Sequence, residues 1–418
     1  MRSSMTLLIG SLALATLPAL AGAQHNQLSK EEAANGWLLL FDGKTSYGWT
    51  TKGDVKVKQG VLILAGNEKD AKPKKGGKKA YPQTVPAVAM HNTKFHQFDL
   101  TVEWYNNNPR GGLYIGNAKG STVFSALIGE TDAPQKGWVQ THIQCKYSAK
   151  KKAYVMTLKI PVRDKKKADT YTEMLTVTNP PLTITLKGLG GEPLKIRNLK
   201  LKPIDGKSIF NGKDLQGWKV HPRGKSRYTV TEEGWLNVKN GGGDIQTVGK
   251  YKDFVLQLQC ISNGMHLNSG IFFRAVPGEY WAGYEAQIRN QSTPGTAKAY
   301  KLQQHDPETR KPTKALIVKS EAVDYGTGGL YRRMPARKVV SKDNEWFTMT
   351  VIAHGNHLAT WVDGIQVAEF IDHRPLDENP RRGCCLDAGC ISIQGHDPTT
   401  DLSFRNLYVF PYLETSAK

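Results

Sequence analysis

Cysteine is scarce in this chain, with five in 418 residues: Cys145, Cys260, Cys384, Cys385 and Cys390. So few cannot form a disulfide scaffold at this length, and their spacing lacks the second Cys-x-x-Cys half of a zinc site. Cys384 or Cys385 with Cys390 is expected at most to close a small loop, leaving at least one thiol free. Past residue 23 no apolar run reaches about 18 residues, so no transmembrane helix is expected. Acidic residues are also short, 37 against 57 Lys and Arg, for a net charge of +20. No Gly-x-Ser-x-Gly elbow, helix-turn-helix, zinc finger or RNA-binding aromatic motif occurs. Gly241-Gly242-Gly243 precedes no Lys-Ser/Thr, so it is a flexible connection and no phosphate loop. Helical periodicity is nearly absent; only Gln27–Ala34 reads as a short helix, with Ser29 and Glu32 spaced as a capping box.

What the chain does contain is a leader and many short strands. Arg2, the apolar stretch Leu7–Leu20 and the small residues Ala21-Gly22-Ala23 before Gln24 read as a signal peptide over residues 1–23, so export to the periplasm or beyond is expected. Residues 24–205 are rich in lysine, with Arg110, Arg163 and Arg197 as their only arginines, and Lys69–Lys79 is a basic loop. Such a surface favours anionic partners. In an exported protein these would be an acidic polysaccharide or a cell surface rather than nucleic acid. Runs of Val, Ile, Leu and Thr recur between Gly, Asn, Asp and Pro, a pattern of all-β sandwiches.

The chain also repeats itself. Phe41-Asp-Gly-Lys44 with Trp49 returns as Phe210-Asn-Gly-Lys213 with Trp218, Phe98–Glu103 as Phe254–Gln259, and Arg197-Asn-Leu199 as Arg405-Asn-Leu407. A tandem duplication with its junction near Pro203–Lys207 follows, giving domains of 24–205 and 206–418. The differences between copies point to function, because a framework is needed twice and a site only once. Gly270–Arg274 faces Gly112–Gly116, where glycine replaces the arginine. Gln394-Gly-His396-Asp397 faces Lys187-Gly-Leu189-Gly190. The distance from Gly116 to Trp138 is so much shorter than from Arg274 to Trp346 that copy one is expected to lack the Tyr284–Gln287 strand.

Leu267–Gln287 reads as two strands joined by a Pro277-Gly278 turn. Strict alternation puts Asn268, Gly270, Phe272 and Arg274 on one face, and Glu285 and Gln287 beside them. Tyr280, Trp281 and Tyr284 supply aromatic surface. Rings that stack on aromatics and hydroxyls that need planar partners make this a carbohydrate site on paper. The plainer alternative is an edge hairpin with a structural Arg–Glu pair.

Phe210–Trp218, Asn268–Arg274, Gly283–Ile288, Gly328-Gly-Leu-Tyr331, Asn344-Glu-Trp346 and Ile393–His396 with Phe404–Leu407 resemble the 3-keto-disaccharide hydrolase domain family, in that family's order. The resemblance covers residues 206–413 and implies a concanavalin A-like jelly-roll sandwich, with copy one a degenerate second example. It also implies cleavage of 3-keto-glycosides. The ketone acidifies the C2 hydrogen, one base removes it, the glycosidic oxygen leaves, and water adds to the enone. For that reaction Glu285 or His396 is expected to be the base, with the other delivering a proton to the leaving oxygen. Arg274 would polarise the ketone or hold hydroxyls, Asn268 and Gln287 would orient the ring, and Tyr280, Trp281 and Tyr284 are the aromatic candidates for binding it. The His, Glu and Asn donors would also suit a divalent metal. A lectin-like binding protein and a conventional two-carboxylate glycosidase are the alternatives.

Overall fold

The computed structural model describes residues 25–69, 83–117, 121–127, 136–160, 169–175 and 181–412. The leader and nearly all of the Lys69–Lys79 loop lie outside them. Each half of the chain forms one antiparallel eight-stranded sheet and one antiparallel five-stranded sheet, packed face to face as a jelly-roll sandwich. No helix among the described residues is long and apolar enough to cross a membrane. The one α-helix among the described residues, Lys30–Ala34, carries the expected capping box: Glu32 N donates to Ser29 Oγ at 3.0 Å and Ser29 N to Glu32 Oε2 at 2.8 Å.

The five-stranded sheet of the second half carries the site. Its strands are β1 (Trp218–Val220), β2 (Gly243–Thr247), β3 (Ser269–Ala275), β4 (Tyr284–Ile288) and β5 (Cys390–Gly395), in the order β1-β2-β5-β3-β4. Ile271, Phe273, Tyr284, Ala286 and Ile393 point into the core against the larger sheet, where Leu256, Leu258, Met349, Val351 and Phe404 meet them. The opposite face of the same strands is equally buried, so hydrophobic alternation barely shows in the sequence of β3 and β4. The segment after β4 covers its free edge. Gln287 N donates to Gly329 O, Gly328 N to Gln287 O, and Tyr331 N to Glu285 O, at 2.8, 2.8 and 3.0 Å. Pairing the edge this way removes an open template for aggregation.

The two sandwiches share packing. The apolar core of the first continues onto Val255, Ile352, Ala359 and Trp361 of the second half's larger sheet. Polar contacts line the same junction: Arg337 meets Asp42 at 2.9 Å, and Gln257 Nε2 donates to Gly36 O at 2.8 Å.

Two expectations need correction. Copy one does possess a strand equivalent to β4: Thr122–Leu127 pairs with Gly111–Gly116 as β4 pairs with β3. Counting residues between landmarks failed because the extra length of copy two lies after the strand, in residues 289–341. The loop disulfide is also absent. All five cysteines are free and buried, and Cys390 sits inside β5, where its thiol reaches Ala275 O at 3.3 Å.

Candidate active site

A cleft of about 460 Å³ opens over β3, β4 and β5, lined on its floor by Glu285, Gln287, Gln394 and Asn268. Because Phe272 pairs with Glu285 and Gly270 with Gln287, these positions share one face. Gly270 is required here. A Cβ at that position would lie 2.6 Å from Glu285 Oε1 and 2.8 Å from its Cγ. Gly270→Ala should therefore displace the carboxylate, with an overpacking cost of roughly 1–3 kcal/mol. Turnover should fall by up to about 100-fold, as a carboxylate displaced by about 1 Å requires, read as kcat on any substrate the cleft turns over.

Glu285 is almost fully buried, and burial pushes its carboxyl above the usual carboxylate range, with Arg381 pulling the other way. Arg381 Nη2 lies 2.6 Å from Glu285 Oε2, and its Nε donates to Trp281 O at 2.9 Å. The guanidinium also faces the rings of Phe272 and Tyr331, at 5.1 and 5.4 Å. Two of its five donors are thereby used. The loop that carries it is held from behind: Arg374, itself paired with Asp372 at 2.7 Å, donates to Pro380 O at 2.8 Å and Gly383 O at 2.6 Å.

Across the cleft, His396 follows the end of β5. Its Nδ1 meets Asp397 Oδ2 at 2.9 Å, while Thr399 N holds Asp397 Oδ1 at 2.8 Å. A carboxylate on Nδ1 assigns the proton to that nitrogen and leaves the Nε2 lone pair toward the cleft. There it meets Asn268 Nδ2 at 3.2 Å. The same amide nitrogen lies 3.4 Å from Asp324 Oδ2, and Gln287 Nε2 donates to that oxygen at 3.1 Å. Tyr280 and Trp281 stack at 4.5 Å to form one wall, with Trp281 half exposed at the lip. Among the described residues no three His, Cys, Asp or Glu side chains converge as metal ligands would. Arg381 moreover occupies Glu285. The residues present do not fit a metal centre.

Of the eight residues expected at the site, six line the cleft: Asn268, Tyr280, Trp281, Glu285, Gln287 and His396. Arg274 and Tyr284 do not. Arg274 is the extra residue of a β-bulge, since the β3–β5 register slips between Phe272 and Ala275, and it adopts a left-handed φ of +47°. A bulge breaks the alternation, so its side chain leaves the face of Phe272. It is sealed against Lys252 O, Gly355 O and Cys385 O and paired with Asp253 at 2.8 Å. Four partners hold this disfavoured backbone in place. Arg274→Ala should destabilise the fold by roughly 3–5 kcal/mol, as breaking a buried pair does, measured by urea unfolding. Tyr284 points to the core instead, stacked on Phe273 at 5.5 Å with its hydroxyl on Asp372 at 2.7 Å.

The lining residues missed were Gln394, on β5, and Ala282, Asp324, Tyr331, Arg332, Asn379 and Arg381, outside the strands. Of these only Gln394, in Ile393–His396, and Tyr331, in Gly328-Gly-Leu-Tyr331, stood within quoted motifs.

Residues 205–409 match the model of the 3-keto-alpha-glucoside-1,2-lyase-like domain. Among solved structures, two candidate glycosyl hydrolases from Parabacteroides distasonis ATCC 8503 are similar. One is 22% identical with a TM-score of 0.36, over 50% of this chain and 94% of its own. The other is 21% identical with a TM-score of 0.37, over 50% and 100%. The carbohydrate binding module CBM66 from Bacillus subtilis is 14% identical with a TM-score of 0.30, over 47% and 97%. No curated protein matches.

Proposed function

We propose, on the premise that residues 205–409 belong to the 3-keto-alpha-glucoside-1,2-lyase-like domain family, that this protein cleaves 3-keto-glycosides by elimination and hydration. The observation that carries this reading is the placement of a carboxyl and an imidazole in one cleft. One is a buried carboxyl raised by its surroundings and the other an imidazole oriented by a carboxylate. A carboxyl and an imidazole facing one cleft can divide the acid and base roles between them.

In this reading His396 Nε2 takes the C2 proton, and the electron pair moves into the C2–C3 bond as the ketone becomes an enolate. Asn268 Nδ2, within 3.2 Å of that nitrogen, donates to the enolate oxygen on the neighbouring carbon. The ketone then re-forms, a C1–C2 double bond appears, and the C1–O bond breaks. Glu285 gives its proton to the departing oxygen, and Arg381 receives the new carboxylate. Water adds at C1 and passes its proton to the Glu285 carboxylate, while His396 returns a proton to C2, so both groups are restored and the net change is hydrolysis. The Tyr280–Trp281 wall stacks the sugar ring.

The first sandwich fits a binding or structural role. In its register Ser125 opposes Tyr114 as Glu285 opposes Phe272, so the carboxyl is replaced by a hydroxyl. The leader supports action outside the cytoplasm.

The test is incubation with a 3-keto-disaccharide and with its unoxidised parent. Release of 3-keto-glucose from the first alone is expected. Cleavage of the parent would favour a conventional glycosidase, and retention of both sugars without cleavage would favour a lectin.

A further inference from the structure

Three buried side-chain oxygens on the cleft's sheet have no hydrogen-bond partner: Gln287 Oε1, Gln394 Oε1 and Asp244 Oδ1. All three residues are at least nine-tenths buried. Asp244 pairs with Gln394, and Gly270 with Gln287; one step on from the Ile271–Ile393 pair, Gln394 lies opposite Gly270. The order across four strands is therefore Asp244, Gln394, Gly270, Gln287, in one row on one face. Leaving a buried acceptor without a donor costs about 1–3 kcal/mol each, so three in a row call for an occupant that donates.

The orientation of Gln287 and Asp244 is held by their other atoms. Gln287 Nε2 is spent on Asp324 O and Oδ2, which leaves its oxygen as the free end. Asp244 Oδ2 takes Ser392 Oγ at 2.7 Å and Gln246 Nε2 at 2.8 Å, leaving Oδ1. Between Gln394 and Gln287 the missing side chain of Gly270 makes a notch, with the two glutamines two strand spacings apart, about 9–10 Å. Asp244 stands behind Gln394 and does not line the cleft.

We propose that Gln394 and Gln287, on either side of the Gly270 notch, form a floor that reads donor hydroxyls of a sugar ring and so sets substrate specificity. A hydroxyl fits because it donates to one of these oxygens while still accepting from a neighbour. A methyl ether or a deoxy carbon at the same position leaves the acceptor stranded. The first sandwich supports the assignment by contrast. The equivalents of Asp244, Gln394 and Gly270 there are Val88, Lys187 and Gly112, which offer no acceptor side chain. The inference rests on the cleft being the carbohydrate site proposed above.

The test is calorimetric binding of methyl α-glucoside, with its mono-deoxy and mono-O-methyl derivatives, to the full chain and to Gln394→Met and Gln394→Glu. For the wild type, at least one deoxy derivative and its O-methyl counterpart should bind on the order of ten-fold more weakly than the parent. Gln394→Met should bind parent and derivatives alike, whereas Gln394→Glu, which keeps an acceptor, should still discriminate. Equal binding of all derivatives by the wild type, no measurable binding of the parent, or discrimination that survives in Gln394→Met would each overturn the inference. Should Gln394→Met fail to fold, the wild-type series and Gln394→Glu decide. Cleavage of the 3-keto-disaccharide is assayed in parallel. Discrimination without cleavage sinks the reaction and keeps the floor; cleavage without discrimination does the reverse.

Discussion

Glu285→Gln is expected to lower kcat for a 3-keto-disaccharide by about 10²–10⁴-fold, the worth of a positioned acid or base, without loss of stability at pH 7. The rate follows from the absent proton: glutamine preserves the shape of the side chain and still accepts from Arg381, but cannot protonate a leaving oxygen. The stability follows from linkage. Burial raises the Glu285 carboxyl above its unfolded value, with Arg381 opposing the shift. A group raised in this way favours the fold below its unfolded value, and that contribution is lost as pH rises through the folded one. Above its folded value an ionised Glu285 therefore weakens the fold, and the neutral amide relieves it. The unfolding midpoint of Glu285→Gln should match or exceed wild type at pH 7, and its advantage should vanish below about pH 4, where glutamate is protonated in either state. A variant that cleaves at the wild-type rate would remove Glu285 from the chemistry. One that loses both rate and stability would make Glu285 a structural anchor.

The parts of this site that could be read in the sequence are those on regular strands. Glu285, Gln287 and Asn268 follow from alternation, and His396 from comparing one copy with the other. Alternation failed where the backbone departed from a regular strand. A single extra residue in β3 turned Arg274 from the cleft into a sealed pocket, and nothing in Phe272-Phe-Arg274 announces a bulge. Tyr284 was assigned by its chemistry although its parity already placed it with Ala286 and Ile288 on the core side. The expected Arg–Glu partnership does exist, but the arginine is Arg381, which reaches Glu285 from a loop remote in sequence. Irregular loops carry no period to read, and their geometry is set by tertiary contacts such as Arg374 on the carbonyls of Pro380 and Gly383.

The duplication was more informative about chemistry than about architecture. Both copies keep five strands in the smaller sheet, so the fold itself tolerates either set of residues. The register now shows what changed, position by position: Ser125 for Glu285, Lys187 for Gln394 and Val88 for Asp244. A polar floor in one copy has become an apolar and basic one in the other. Those substitutions fall on the cleft face, while Ile184 and Leu186, like Ile391 and Ile393, remain in their cores.

Removing Arg381 should show which way the proton moves. Arg381→Met keeps an unbranched stem beside Phe272 and Tyr331 but takes away the cation that opposes the upward shift of Glu285. The Glu285 carboxyl should then rise further, because burial loses its main opponent. If Glu285 works as the acid, activity requires its protonated form, and the alkaline limb of kcat against pH should move to higher pH in the variant. If it works as the base, the acidic limb should move up instead, and activity would survive only at higher pH. The rate at the optimum should fall by about 10²-fold in either case, since the carboxylate formed or used in the reaction loses its charged partner. Arg381 also donates to Trp281 O, so KM should rise as the aromatic wall loosens. A pure loss of positioning would raise KM and lower kcat while leaving both limbs where they were, and that outcome would deny Arg381 any hold on the Glu285 proton. A displaced alkaline limb would identify Glu285 as the acid, leaving His396, with its Nδ1 proton held by Asp397, as the base at C2.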